Sequence, residues 1–173
     1  RRPTRSTLFP YTTLFRSSGN THSVGTDRGG RYEITGLRAG DVRVHVLAAG
    51  YVPVLGQVVS LLPGQRLTAN WELGLGGTIG GTVTAAGRAA AAAAPVWVSS
   101  IDLGISVQTV TAADGSYTVP GLAAGTYTVT AAPAGRAPAT VAGVAVADGG
   151  LTTVDLAAGT PAGVAVTVRD AAT

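Results

Sequence analysis

Between Ser116 and Ala131 the chain alternates apolar and polar residues, breaks off, and alternates again. Tyr117 and Val119 share one face with Tyr127, Val129 and Ala131, while Thr126, Thr128 and Thr130 take the other. Pro120-Gly121-Leu122-Ala123-Ala124-Gly125 separates the two runs. A period of two bounded by Gly and Pro predicts an antiparallel β-hairpin with one buried face. Residues 29–46 carry the same pattern, with Tyr32, Ile34, Val42, Val44 and Val46 facing in. Arg31, Glu33, Arg43 and His45 face out. Gly30, Tyr32, Gly36-Leu37, Gly40 and Val44 each recur 85 positions later, at Gly115, Tyr117, Gly121-Leu122, Gly125 and Val129. Such self-similarity predicts a tandem repeat of one β-domain. Gly40 and Gly125 stand where a tight turn takes a positive φ. Leu37 and Leu122 are placed to plug the end of each unit.

The wider pattern predicts an all-β fold, a tandem of antiparallel β-sandwiches of about 85 residues each. Residues 18–75 read as a truncated first unit: a polar lead-in from Ser18 to Thr26, the hairpin, a strand at Val52–Val59, a Pro63-Gly64 turn and a strand at Leu67–Leu73. In that last strand Leu67, Ala69, Trp71 and Leu73 share a face, which makes Trp71 core. Residues 76–160 read as a complete second unit with strands at Ile79–Thr84, Pro95–Ser100, Val107–Ala112, Tyr117–Pro120, Thr126–Ala132, Ala139–Val146 and Leu151–Leu156. The Ala89–Ala94 run is too short for an isolated helix and is closed by Pro95, so it reads as a loop. Val168 lies 85 positions after Val83, so residues 161–173 read as the first strand of a truncated third unit. The strand inventory predicts that 76–160 alone is soluble, monomeric and cooperative. The first unit is expected to expose an apolar face beneath Tyr32, Val42, Val44 and Trp71.

Residues 7–17, TLFPYTTLFRS, resemble a common sequencing-library adapter translated in frame. Residues 1–17 are therefore set aside as an adapter-derived segment that packs against nothing, Phe9 and Phe15 included. That changes the charge picture. Four of the twelve basic residues, Arg1, Arg2, Arg5 and Arg16, lie in this segment. Beyond it, eight Arg face nine Asp and Glu, a formal charge of −1, so the composition offers no support for a nucleic-acid partner. Cysteine is absent, which excludes disulfides and thiolate metal sites, and lysine is absent too. No apolar run reaches the roughly 18 residues of a membrane-spanning helix, so membrane insertion is not expected.

Candidate chemistry is sparse. His22 falls in the lead-in and His45 on an outer face, where a solvated side chain is the expected reading. Asp114 and Asp148 each precede Gly, where capping of a turn accounts for them. Asp102 and Asp155 lie at strand ends, and no D-x-D-x-D spacing suggests calcium. GGTIGGTV lacks the Lys-Ser/Thr and the helix that a phosphate loop needs. No catalytic, cofactor or metal residue is expected. Trp97 is the single candidate ligand contact: if Val96 and Val98 face in, its indole lies on the outer sheet surface, where it could stack on a sugar or pack beneath a loop.

GGTVTAAG, DGSYTVPGLAAGTYTVTA and the Pro133-to-Pro138 stretch PAGRAP together resemble the carboxypeptidase regulatory-like domain. That domain is one of the transthyretin-like, or prealbumin-like, sandwiches, and is similar in pattern to collagen-adhesin B-type repeats. The resemblance covers about residues 23–170 and rests on turn and core residues. It implies non-catalytic spacer or adhesive repeats of a bacterial secreted or surface protein, with no enzymatic activity and no cofactor. Cell-wall polysaccharide or a host matrix protein are the partners it implies. The alternative is an accessory, carbohydrate-binding or regulatory domain of a secreted peptidase or glycosidase. A lysine-free chain cannot form the Lys–Asn isopeptide crosslink found in many adhesin repeats.

Overall fold

Alternating valines and threonines yield strands throughout. The computed structural model describes residues 12–17, 20–85 and 89–162, and within them every regular element is a β-strand. In chain order these are β1 (Thr12–Ser17), β2 (Asn20–Gly25), β3 (Gly40–Leu47), β4 (Val54–Leu61), β5 (Gly77–Thr84) and β6 (Pro95–Ser100). There follow β7 (Ile105–Val110), β8 (Ser116–Leu122), β9 (Gly125–Ala131), β10 (Ala139–Val146), β11 (Leu151–Thr153) and β12 (Leu156–Ala157). The first four form one sheet in the order β2-β1-β3-β4. The rest form two: β10-β9-β6-β7, and β11-β5-β12 with β8 also paired to β5. Two compact units result. One is built on the chain up to Ile79 with Pro120–Gly125 and Val146–Thr152; the other on Gly80–Val119, Thr126–Ala145 and the residues from Thr153 on.

In the N-terminal sheet, Val42, Val44 and Val46 of β3 are buried, and Val24, Tyr32, Ile34, Val59, Trp71 and Leu73 pack around them. Three expectations are corrected here. Residues 12–17 do not stand apart: β1 pairs antiparallel with β2 and with β3, from Thr12 opposite Leu47 to Ser17 opposite Val42. Ladder hydrogen bonds come from the main chain, so a β-prone run of Thr, Leu and Phe can take the place whatever its origin. Phe9 lies outside the described residues. Val42 and Val44 are fully buried rather than uncovered, because residues such as Val24, Tyr32, Ile34 and Trp71 pack on them. The polar stretch expected as a lead-in is itself strand β2.

Residues 67–73 were expected as a strand, but no ladder is assigned to them, and Leu67 is exposed at 42%. Ala69, Trp71 and Leu73 are half-buried, as the alternation requires. Nor is any strand assigned at Tyr32–Ile34, although the alternation of burial there follows the sequence.

The C-terminal strands fall close to their expected places, and β6 and β10 coincide with them. Val96, Val98, Tyr127 and Val129 line the buried face of one sheet, and Val83, Tyr117, Val119 and Leu156 that of the other. Ala89–Ala94 is a loop, pinned by Thr111, whose buried hydroxyl accepts from Ala94 N–H and donates to the Ala91 carbonyl. Gly40, at φ 120°, takes the positive φ expected of it, while Gly125, at 159°, is close to extended; Gly36 and Gly121 are also left-handed, both at 76°. Leu122 is buried and Leu37 half-buried. The opening strand expected in residues 161–173 lies, from 163 on, outside the described residues.

One hydrogen bond recurs. The Tyr117 hydroxyl donates to the Val154 carbonyl (2.7 Å), and the Tyr32 hydroxyl donates to the Ala69 carbonyl (2.8 Å). Both span 37 residues. Tyr32 also accepts from Trp71 Nε1 at 2.9 Å, which satisfies the polar tip of a half-buried indole.

Burial, with the nearby Asp155 charge second, pushes the Tyr117 phenol up to about 12. A raised pKa stabilises the fold below the ordinary value of 10.0, and that contribution is lost as pH climbs from there through about 12. Replacing Tyr117 by Phe should cost about 1–3 kcal/mol in urea unfolding at neutral pH, since a buried carbonyl loses its donor. The variant should also lack the alkaline loss attributable to this phenol. An unchanged midpoint at pH 7 would show that the hydroxyl holds nothing.

Candidate functional site

Trp97 sits in the middle of β6, between Val96 and Val98, which are fully buried. Alternation therefore turns the indole to the outer face, where it is half-buried. In register beside it stand Gln108 on β7 and Thr130 on β9. Thr130 and Thr140 on β10 meet through their hydroxyls at 3.0 Å. A row of amide, indole and two hydroxyls thus crosses all four strands. The next row pairs Ser99 with Ser106 and Thr128. Such a face can stack a flat ring on the indole and hydrogen-bond to its edge. It carries no ionisable side chain in these two rows.

A second concavity lies in the N-terminal unit, a cleft of about 930 Å³. Tyr32, Ile34, Val42, Val59 and Leu61 make its apolar lining. At its rim Arg66 and Glu33 form an ion pair at 2.8 Å, with both side chains largely exposed, a geometry of little energetic consequence. Sequence reading missed this cleft. The nearest signal is the apolar face expected beneath Tyr32 and Val42, two of its lining residues.

The ionisable residues singled out by sequence are spread through turns and edges. Asp114 caps its own turn, accepting from the Ser116 hydroxyl and N–H, and these bonds hold its carboxyl below the usual aspartate range. Asp27 caps the earlier turn by accepting from Gly29 and Arg31 N–H. Asp155 accepts from both the hydroxyl and the N–H of Thr82, each at 2.8 Å, and is likewise lowered, the hydroxyl bond contributing most. His45 is not the freely solvated residue expected. Its Nδ1 accepts from Gly56 N–H at 3.3 Å, where the β3–β4 register shifts between Val44 and Val46. His22 is half-buried on β2, opposite Phe15 in register. Asp102 and Asp148 are exposed in turns. Among the described residues no three His, Asp or Glu gather in a metal-binding group. The glycines of GGTIGGTV serve backbone approach rather than phosphate: a Cβ on Gly81 would run into the Val154 carbonyl oxygen.

The lowered Asp155 carboxyl stabilises the fold above the ordinary aspartate value of 3.8, and this contribution is lost as pH falls below it. Asp155→Asn keeps an acceptor oxygen for Thr82 but removes the titration. Acid unfolding followed by circular dichroism should therefore be shallower below pH ~4 in the variant than in the wild-type chain. Superimposable acid profiles would disprove the assignment.

Comparison of the sequence with curated proteins gives no match. Among solved structures, the chain is similar to the TIE protein of Bacillus anthracis, at 17% identity and a TM-score of 0.41, over 91% of this chain and 32% of that one. A streptococcal ancillary pilin is similar at 19% identity and a TM-score of 0.36, over 90% of this chain and 58% of the pilin. The C-terminal fragment of a pilus adhesin from Lactobacillus rhamnosus GG follows at 11% and 0.38, over 91% of each chain. The chain thus spans about a third of the first of these proteins and under two thirds of the second. Scores at this level carry no argument about function. Residues 78–159, β5 through β12, match the family model of the carboxypeptidase regulatory-like domain, the family that the turn and core residues of this stretch resemble.

Proposed function

We propose that the chain consists of tandem β-sandwich repeats acting as a non-catalytic spacer or adhesive element of a bacterial secreted or surface protein. The observation that carries this reading is the commitment of its polar groups to the scaffold. Tyr32, Asp114, Tyr117, Asp155 and His45 each hold a turn, a bulge or a strand end through bonds to main chain or to a neighbouring strand. Repeat architecture is supported by bonds that recur at one spacing. Gly30 N–H donates to Asp27 O and Gly115 N–H to Ala112 O. Val52 N–H donates to Gly74 O and Ala137 N–H to Gly159 O. Each partner in these pairs moves by 85 positions. On this reading 18–75, 76–160 and 161–173 are successive units, with 1–17 of adapter origin.

Limited proteolysis of the full chain, read by mass spectrometry, should leave a protected core near 76–160. Panels of peptide, ester and glycoside substrates should give no turnover above buffer. A protected core over 23–75 would overturn the unit boundaries. Turnover abolished by a single Asp or Ser change would overturn the non-catalytic reading.

The row through Trp97 favours a second reading, an accessory domain that binds cell-wall polysaccharide. Soluble glycan should then quench or shift tryptophan fluorescence in the wild-type chain and leave it unchanged in Trp97→Ala. An identical response in both chains would eliminate this face as the contact.

A further inference from the structure

The dipeptide Asp-Gly stands at Asp114-Gly115 and again at Asp148-Gly149, and the fold treats the two differently. In any Asp-Gly pair the side-chain carboxyl lies within reach of the next amide nitrogen. Glycine, with no Cβ, does not hinder closure of the five-membered ring that would join them. At Asp114-Gly115 both groups are held. The Asp114 carboxylate accepts from the N–H and the hydroxyl of Ser116. Gly115 N–H donates to the Ala112 carbonyl at 3.0 Å. Gly115 is also buried, close beneath the carbonyl oxygen of Val83.

At Asp148-Gly149 neither group is held. The two are the exposed central residues of a turn closed by Gly150 N–H, which donates to the Ala147 carbonyl at 3.0 Å. Gly149 is left-handed, at φ 65°. Among the described residues, the Asp148 carboxylate accepts no hydrogen bond and Gly149 N–H donates none. The capping expected of both aspartates is therefore found at Asp114 and not at Asp148.

We propose that Asp148-Gly149 is a site of spontaneous backbone modification, at which Asp148 converts to isoaspartate through a cyclic imide. The Gly149 nitrogen attacks the side-chain carboxyl carbon of Asp148 in its acid form. A C–N bond forms and the C–OH bond breaks; the hydroxyl and the amide proton leave as one water. A second water then opens the ring. Attack at the side-chain carbonyl restores aspartate. Attack at the main-chain carbonyl leaves the chain routed through Cβ, with the α-carboxyl freed as a carboxylate. Nothing is oxidised or reduced, and water is the one co-reactant. The product lengthens the turn by one main-chain carbon. Gly150, next along, accepts from Thr78 N–H of β5 at 2.8 Å, so the lengthened turn loosens that bond too.

Ageing the full chain in water enriched in heavy oxygen tests this, because each ring opening leaves a solvent oxygen in a carboxylate. Trypsin, used afterwards in ordinary water, cleaves after Arg88, Arg136 and Arg169 and so puts Asp114 and Asp148 on different peptides. Fragmentation should locate the label at Asp148, with none at Asp114 over the same interval. In urea, where no fold restrains Asp114, both should label at comparable rates. Gly149→Ala should slow labelling at Asp148 several-fold. In the converted chain the Thr78 amide should exchange with solvent faster than in the fresh chain. Absence of label at Asp148, equal labelling of the two sites in the folded chain, or an Asp114 still unlabelled in urea would each overturn the proposal. So would undiminished labelling in Gly149→Ala, or a Thr78 amide equally protected before and after conversion.

Discussion

The second sheet of the C-terminal part depends on one strand. β8, β11 and β12 are paired with β5, with β12 parallel to it. β8 and the β11–β12 stretch, both distant from β5 in sequence, therefore become a sheet only through it. That demand explains its composition. Gly77 and Gly81 lie where any side chain would collide with main-chain or core atoms of the segments that cross β5. Ile79 and Val83 between them supply the buried face. The glycine-rich run is thus a record of close backbone approach, a reading that periodicity alone cannot separate from a nucleotide loop.

What β5 gathers, tyrosine fastens. Tyr117 reaches from β8 to the carbonyl of Val154, spanning the stretch between β11 and β12. A phenol suits this work because it brings a large apolar surface and one hydroxyl at a fixed reach. In a core otherwise made of Val, Ala, Leu and Ile, the two buried tyrosines, Tyr117 and Tyr127, are the largest side chains present. Neither disulfide nor lysine crosslink is available to such a chain. Its stability rests on ladder bonds, on these anchors, and on carboxylates such as Asp114 and Asp155 that hold strand ends.

The strands of the C-terminal part were legible because strands such as β6, β8 and β9 bury one face with a period of two, and because Gly and Pro punctuate them. The outward turn of Trp97 followed from the same alternation, being fixed once Val96 and Val98 were inside. Residues 67–73 misled because alternation reports which face is apolar, not whether a neighbour completes the ladder. His45 misled for a different reason. A β-bulge at Val44–Val46 is set by the partner strand, and only that strand reveals that Gly56 N–H needs an acceptor.

The placement of β1 shows how little of a strand's identity its neighbours inspect. Thr12–Ser17 lies between β2 and β3 as β6 lies between β7 and β9, although its sequence reads as a translated adapter. Main-chain donors and acceptors are the same in every residue but proline, so pairing itself selects for extended shape and little else. Selection enters through register, because a slip of one residue turns every inward side chain outward. In the N-terminal sheet that register is dictated by Val42, Val44 and Val46, which tolerate no exposure.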